Sequence, residues 1–543
     1  MAEKVYKKKI ISHVIEQKAR EEPYKEKFIF ENGDFPDDKA SYGDLYRNSK
    51  KIAAELQKMG IGKGDRFAAY MKNHLDAIYL TIAASRIGAT IVPIEHRAKG
   101  DLLRHQVDFS DSKAIFTTED LLENVLAIKD KLPKVQHIYL VHKPWIETGV
   151  TTGKYPSLND VIEEKEPGDL GVWYTDTEMP LQMMFTSGTT GLPKGVLVSH
   201  SRTAMYSTIG QFIWGYTADD IAYSGLSFAH GNINASLIFP VIYTLAKGVV
   251  SQRFTKTRIW DICREYGCTT FSLLGGMMNA IYSEPSKPDD ADNPVRFILD
   301  AGTPRSIWSA FERRFNVKIL EWYGALDGGA TFKQPGIGPV GSMGRALPLI
   351  LDMRVLDDND RECPPNVTGH LCQKSLMKSA MTIKYHKKKK ESEEKTRGGW
   401  LRTGDTAHTD ENGWLFFDYR EGGGLRRAGE FIQPEYVEGV IAAHPDVSEV
   451  GVYGVPAASG APGESDMVAA VVPFEGKKID PPSIFELCAK ELPKNLIPSY
   501  VQVLDEIPKT ISQKILDRVL RGEFNPEEKN IFKVENYLKG GKK

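Results

Sequence analysis

Met184-Phe-Thr-Ser-Gly-Thr-Thr-Gly-Leu-Pro-Lys-Gly195 is a strand-like run that enters a loop of hydroxyl residues and glycines and ends on a lysine. Leu181 to Phe185 before it and Val196 to Val198 after it are apolar, which argues against a flexible Gly/Ser/Thr linker. Gly188 lets backbone N–H groups approach an anion closely. Thr186, Ser187, Thr189 and Thr190 offer hydroxyl donors, and Lys194 adds a positive charge, so the stretch suits a phosphate. It lacks the G-x-x-x-x-G-K-[ST] pattern and is not a Walker loop.

On either side of that loop, helical-period segments such as Leu45 to Met59 and Leu75 to Ile87 alternate with short β-rich runs. Ala114 to Thr117, His137 to Val141 and Thr269 to Leu273 are the clearest of these, and the alternation predicts an α/β fold. At 543 residues the chain exceeds what one hydrophobic core serves, so two or more domains are expected. Gly422, Gly423 and Gly424 in a row free the backbone from its usual φ restriction and mark the best position for an inter-domain hinge, with a tight turn inside one domain as the alternative. The run Lys387 to Lys390, followed by Glu391, Glu393 and Glu394, predicts a solvated loop. No period in the range of 20–50 residues is visible, which argues against a solenoid or propeller.

Seventy basic residues against 72 acidic ones leave a formal charge of −2, which provides no field for gathering nucleic acid or anionic lipid. The five cysteines form no C-x-x-C pair, and a long chain needs no staples, so reduced thiols in a cytoplasm are expected. The N-terminal stretch MAEKVYKKKIISHVIEQKAREEPYKEKFIF has basic residues but no apolar run after them, so no signal peptide is expected. Leu237 to Tyr243 and Met467 to Phe474 are apolar but far below the ~20 residues that span a bilayer, and read as core. A soluble, cytoplasmic protein without a stable membrane anchor follows as the expectation.

The segment from Thr186 to Gly195 resembles the signature loop of the acyl-adenylate-forming superfamily, which includes acyl-CoA synthetases, firefly luciferase and the adenylation domains of peptide synthetases. The resemblance continues in the family's order over nearly the whole chain. Gly64-Asp65-Arg66 through Ile87 to Pro93 is similar to an N-terminal core segment. Phe228-Ala-His230 resembles the aromatic-x-His segment that lines the acyl pocket of acid-CoA ligases, which implies that His230, Gly231 and Asn232 face the substrate. Asp300-Ala-Gly-Thr-Pro304 and Glu321-Trp-Tyr-Gly-Ala-Leu-Asp327 look like the segments that hold adenine and magnesium. They imply nucleotide contacts from Ala301, Gly302, Thr303, Trp322, Tyr323 and Gly324, with the Tyr323 ring stacked on the purine. Asp327 is implied as the hard oxygen ligand that Mg2+ prefers. The family usually reads Y-G-x-T-E, whereas Leu326 and Asp327 stand here in place of the threonine and the glutamate. Trp400-Leu-Arg-Thr-Gly-Asp405 resembles the family's T-G-D, whose carboxylate accepts from both hydroxyls of the ribose.

Arg420 corresponds to the arginine where the family's hinge begins and is implied to reach the ribose too. Leu425-Arg-Arg-Ala-Gly-Glu-Phe431 looks like the loop lining the pantetheine channel, which implies coenzyme A contacts from Arg427, Gly429 and Glu430. Tyr419, Gly422 and Phe431 depart from residues that are commonly acidic, charged and asparagine there. Pro508-Lys-Thr-Ile-Ser-Gln-Lys514 resembles the C-terminal motif whose last lysine enters the site for adenylation, with Gln513 in place of a glycine. The resemblance thus implies Lys514, Lys194 and Asp327 as the catalytic charges.

As an acyl-CoA synthetase of this family, the chain is expected to have a large N-terminal domain of layered β-sheets with helices, residues 1–420, a hinge at 421–424, and a small mobile α+β domain, 425–543. The implied reaction takes a small-molecule carboxylic acid, ATP with Mg2+, and coenzyme A, and a homodimer is compatible with it. The segment Leu226 to Leu274 and the Arg-Arg-x-Gly-Glu form of the hinge loop look closest to the crotonobetaine/carnitine-CoA ligase branch. The acid itself stays open among betaines, short or medium acyl chains, and cyclic or aromatic acids. Three other readings stand beside this one. A peptide-synthetase adenylation domain would place an aspartate where this chain has Phe228-Ala-His-Gly-Asn-Ile-Asn234. A catalytically silent nucleotide sensor is motivated by Leu326, Gln513 and the glycine hinge. A luciferase-like oxidation shares the first step.

Overall fold

Helix Leu75–Ile87 covers the residues its apolar period predicts, and every one of them is buried. It opens at His74, whose ring accepts from the Asp76 N–H, and closes on Gly88 at φ 70°, a left-handed conformation that glycine adopts without a Cβ clash. The chain then enters the fully buried strand Thr90–Ile94, which pairs in parallel with Arg66–Tyr70. The computed structural model describes residues 9–143, 145–146, 155–163, 170, 176–185, 193–244, 246–326, 328–347, 350–376, 383–420, 425–427, 430–432, 434–458, 465–492, 496–509 and 515–537.

That crossover belongs to a six-stranded sheet in the order His137–Val141, Ser112–Thr118, Arg66–Tyr70, Thr90–Ile94, Pro180–Phe185, Gly195–Ser199. Its strands are parallel except for the last pair, which is antiparallel with Phe185 opposite Gly195. The glycine- and hydroxyl-rich segment therefore connects two neighbouring strands. A nine-stranded sheet holds six parallel strands side by side: Glu26–Glu31, Lys247–Ser251, Ile221–Ser224, Thr270–Leu274, Phe297–Ala301 and Lys318–Ala325. Antiparallel strands flank them, Asp38–Ser41 on one side and Gly328–Lys333 followed by Arg345–Ala346 on the other.

One core joins the two sheets. Phe67 and Phe116 of the first, Phe28, Phe30, Leu299 and Leu320 of the second, and Ile78, Leu80 and Ile82 of the buried helix are in a single apolar cluster. Each large side chain so enclosed contributes about 1.5–3 kcal/mol relative to exposure. The opposite face of the nine-stranded sheet carries Trp260, Phe271, Phe311 and Phe315, with Trp260 stacked on Phe315 at 4.5 Å between centroids. The layering is that of an α/β fold, as expected from the alternation of segments.

Two four-stranded assemblies follow, the first antiparallel throughout and the second mixed, with Ser465–Pro473 parallel to Tyr500–Val503. Leu351–Leu356, Gly369–Ser375, Leu401–Thr409 and Leu415–Arg420 form a four-stranded sheet. Beyond it, Val447–Pro456, Ser465–Pro473, Tyr500–Val503 and Ile531–Lys533 form another, covered by helices Pro434–Ile441 and Pro481–Glu491. Val437, Ile441, Val452, Ala469, Phe485 and Val501 give this small α+β unit its own core.

One expectation needs correction. The run from Lys387 feeds a short helix, Lys389–Lys395, rather than remaining a loop. Lys389 pairs with Glu393 and Lys390 with Glu394, opposite charges one turn apart that support a helix while staying in water. Leu237 to Tyr243 and Met467 to Phe474 are largely buried, as read. Among the described residues no helix is long and apolar enough to cross a membrane. The triple glycine at 422–424 lies outside the described residues.

Candidate active site

Four adjacent parallel strands, Ile221–Ser224, Thr270–Leu274, Phe297–Ala301 and Lys318–Ala325, release their chains at the same edge of the sheet. Ligands of open α/β sheets bind outside the carboxyl ends of strands. A single cleft runs there, lined by His230, Gly231, Asn232, Ala301, Gly302, Thr303, Trp322, Tyr323, Gly324 and Asp405.

The turn after the first strand is fastened by two buried asparagines. Asn73 Nδ2 donates to the carbonyls of Leu226 at 2.7 Å and Ser251 at 3.1 Å, while its Oδ1 accepts from the Phe228 N–H at 2.9 Å. Asn234 Nδ2 donates to the carbonyls of Phe228 and His230, both at 2.9 Å. His230 Nδ1 accepts from the Asn232 N–H at 3.1 Å. A backbone N–H only donates, so the proton of the neutral ring resides on Nε2. Burial holds the imidazole pKa below its ordinary value, against the opposing pull of Glu95, and favours that neutral form. His230 thus offers an N–H donor. The Asn232 amide is engaged elsewhere, donating to the Leu273 carbonyl at 3.3 Å and accepting from Ser236 Oγ at 3.1 Å, so it braces the turn.

The third and fourth strands end in a buried carboxyl pair. Glu321 accepts from the N–H groups of Gly302 at 2.9 Å and Thr303 at 3.2 Å, and also contacts the Thr303 hydroxyl. That hydroxyl lies 2.8 Å from Asp300 Oδ2 as well. It has one proton to give, so a protonated carboxyl on one side completes the chain of hydrogen bonds. Burial raises the pKa of both acids, and the Asp300 charge raises that of Glu321 further. Gly302, at φ 91°, turns the backbone over this pair in a conformation that favours glycine. The outcome is a rigid Ala301–Thr303 ledge.

Tyr323 O–H donates to Asp405 Oδ2. Asp405 is held by its own N–H donating to Thr403 Oγ1 at 3.1 Å, and Thr403 in turn donates to the Leu371 carbonyl at 2.8 Å. Arg420 stands opposite Asp405 in the strand register. Lys194 lies over the Tyr385 ring, 5.3 Å from its centroid. Leu326 packs with Val196, Ile383, Tyr385 and Leu401. Its Cδ2 also lies 2.9 Å from where a Cβ on Gly231 would stand.

Thr186, Ser187, Gly188, Thr189, Thr190, Asp327, Gly429 and Lys514 lie outside the described residues. Their neighbours are in place: Ala325 pairs with Gly328, Arg427 with Glu430, and Lys509 with Ile515. Lys509 and Ile515, which flank the segment carrying Lys514, line the same cleft. Among the described residues no group of three or more His, Cys, Asp or Glu is disposed to hold a metal. Asn73, Asn234 and Glu321 are the supporting residues that sequence reading missed. The partners of Asn73 lie up to 178 residues away and those of Glu321 18 and 19, so no local pattern announces these two.

The AMP-binding enzyme family matches residues 15–381, and its C-terminal domain matches residues 436–514. Crotonobetaine/carnitine-CoA ligases of Salmonella paratyphi B and Salmonella choleraesuis are 24% and 25% identical over 498 and 503 residues, covering 89% of this chain and 93% of theirs. An anthranilate-CoA ligase solved with anthranoyl-AMP has a TM-score of 0.81 at 19% identity, over 94% of this chain and 96% of that one. A benzoate-CoA ligase from Burkholderia xenovorans gives 0.80 at 19%, over 94% and 99%. The o-succinylbenzoate-CoA synthetase of Bacillus subtilis, in complex with ATP and magnesium ion, gives 0.76 at 23%, over 94% and 98%. These structures share the fold described above. With the family's two parts matched in order across most of its length, this chain belongs to the AMP-binding enzyme family.

Proposed function

We propose that the chain is an ATP-dependent carboxylic acid-CoA ligase that forms an acyl-adenylate and then a thioester. The observation that carries this reading is the convergence of Asp405 with Tyr323, the Gly302–Thr303 ledge and the neutral His230 on one cleft at the strand ends. The relatives described above, all acid-CoA ligases, support it. In this reading Tyr323, Ala301, Gly302 and Thr303 receive the adenine, with Trp322 and Gly324 completing that wall. Asp405 and Arg420 take the ribose, and Thr186 to Thr190 with Lys194 take the phosphates. The acid's carboxylate attacks the α-phosphorus, and the bond to pyrophosphate breaks. Lys514 brings positive charge to that transition state. The thiol of coenzyme A, framed by Arg427, Gly429 and Glu430, then attacks the acyl carbon and AMP leaves.

Magnesium usually takes one or two protein carboxylates and completes its shell with phosphates and water. Asp327, which the family resemblance implies as the metal's ligand, would be that carboxylate in this reading. Bound there with ATP, the ion would supply charge neutralisation at the phosphates. The chain divides, on the same reading, into residues 1–420 and 425–543 about a hinge at 421–424.

The test is a product balance. Purified protein with ATP, Mg2+, coenzyme A and an acid is expected to form acyl-CoA, AMP and pyrophosphate in equal amounts. AMP and pyrophosphate without consumption of coenzyme A would point to another acyl acceptor. ATP binding without pyrophosphate would point to a sensor.

A further inference from the structure

Lys194 immediately precedes Gly195–Ser199, the edge strand of the six-stranded sheet, and the residues on both sides of it are fixed. Before it, the His105 ring donates from Nε2 to the Pro193 carbonyl at 3.0 Å. After it, the chain at 384–386 runs antiparallel along the outer edge of the strand. The His386 N–H donates to the Gly195 carbonyl at 2.8 Å, the Leu197 N–H donates to the Lys384 carbonyl at 3.1 Å, and Val196 stands opposite Tyr385. The two clamps meet at Phe109, on whose ring His105 stacks at 5.3 Å and His386 rests edge-on at 5.6 Å. Asp111 fastens the second clamp, with Lys387 Nζ 2.7 Å from Oδ1 and His386 Nε2 3.1 Å from Oδ2.

This arrangement delivers one aromatic side chain to Lys194. Tyr385 is buried among Val196, Ile383, Leu326 and Leu401, and its N–H donates to Ser392 Oγ at 3.0 Å. Its ring centroid lies 5.3 Å from Lys194 Nζ, and an ammonium over an aromatic face is attracted by the ring quadrupole. Lys194 itself is exposed, and the long flexible stem of a lysine in water otherwise disperses its charge over many rotamers. Glu391 feels the Lys194 charge as well, but its carboxyl is held below its ordinary pKa first by the hydrogen bond from Lys388, its ion-pair partner at 2.8 Å. A neutral ring holds the ammonium without cancelling the charge that an incoming phosphate would use.

We propose that Tyr385 is a positioning residue for Lys194: its ring holds the ammonium in place before the nucleotide arrives, so that the β- and γ-phosphates of ATP meet a charge already set for them. The inference rests on the reading of Lys194 as a phosphate-binding residue given above. Preorganising a flexible charge lowers the ordering cost of binding, and the gain falls on the phosphates that the charge reaches. AMP, which has neither a β- nor a γ-phosphate, draws nothing from it.

The experiment measures the Kd of ATP and of AMP by calorimetry on the full chain with Mg2+, without acid or coenzyme A. It compares the unaltered protein with Tyr385→Phe, Tyr385→Leu, Lys194→Met and the double variant Lys194→Met with Tyr385→Leu. Tyr385→Leu, or Tyr385→Met if that variant does not fold, is expected to raise the Kd of ATP roughly two- to fivefold and to leave that of AMP unchanged. Tyr385→Phe keeps the ring and is expected to retain the tighter ATP constant. In Lys194→Met, adding Tyr385→Leu is expected to weaken ATP no further, because the group it positions is gone. An ATP constant that Tyr385→Leu leaves unchanged, or an equal loss of ATP and AMP, overturns the proposal. So does a loss in Tyr385→Phe as large as that in Tyr385→Leu, or one that persists in the Lys194→Met background. If the expected pattern appears while no acid releases pyrophosphate, the ligase reading falls and the positioning of Lys194 stands. If Lys194→Met itself leaves ATP binding intact, the phosphate role of Lys194 and this inference fall together.

Discussion

The hydroxyl of Tyr323 donates to the carboxylate of Asp405 across 82 residues of chain, joining the edge of the nine-stranded sheet to the four-stranded sheet beside it. If Asp405 takes the ribose, the two changes at this bond separate. Asp405→Asn removes a charged acceptor worth roughly 1.5–3 kcal/mol, which raises KM for ATP about ten- to hundredfold. Tyr323→Phe keeps the ring and loses one hydrogen bond, so it is expected to change KM only a few-fold. Initial rates against ATP concentration check both.

Leu326 closes on Gly231 so tightly that a Cβ there would sit 2.9 Å from its Cδ2. Gly231→Ala is therefore expected to cost about 1–3 kcal/mol by overpacking. Leu326→Ala in the same chain is expected to restore much of that, while opening a gap against Val196 and Tyr385. Urea unfolding of both single variants and the double variant measures the coupling.

Asn73 makes hydrogen bonds to Leu226, Ser251 and Phe228 from a buried position. Asn73→Ala leaves those backbone groups unpaired and is expected to destabilise the protein by about 3 kcal/mol. Because the turn carries His230, turnover should fall as well, even under conditions where the variant is fully folded. Denaturant midpoints and initial rates report the two effects separately.

Glu438 lies in helix Pro434–Ile441, and its carboxyl accepts from the Val452 N–H at 2.7 Å. Burial, aided by the charges of Glu435 and Asp517, pushes its pKa up from 4.5 to about 8. The folded state thus prefers the protonated acid. Its contribution is complete below the unfolded pKa and is lost as pH rises through the folded one. Stability is expected to fall by roughly 2–4 kcal/mol between about pH 5 and pH 8 from this group. Glu438→Gln keeps the acceptor, removes the titration, and should flatten that slope in unfolding curves taken across the window.

The fold was legible where local chemistry alone determines it. Leu75–Ile87 and His137–Val141 are the helix and strand that apolar period and β-branching predict, and Thr270–Leu274 is displaced by a single residue. The Lys389–Lys395 helix was missed because paired charges four apart stabilise a helix that has no apolar face to reveal it. The family resemblance pointed to Tyr323, Asp405 and His230, and the structure brings all three to one cleft. What holds them was not legible. Glu321 and Asn73 act on backbone groups brought near by tertiary folding, and Asn232 resembles a pocket residue until its partners, Leu273 and Ser236, are seen.

The most direct test of acid activation is pyrophosphate release from ATP and Mg2+ by the purified protein, with and without each of a panel of betaine, aliphatic, alicyclic and aromatic acids, repeated with Lys514→Ala. The account predicts release that depends on the acid and falls roughly 100- to 1000-fold in the variant, the scale expected for removing a group that stabilises transition-state charge. Release that ignores the acid, or that proceeds equally well without Lys514, would contradict it.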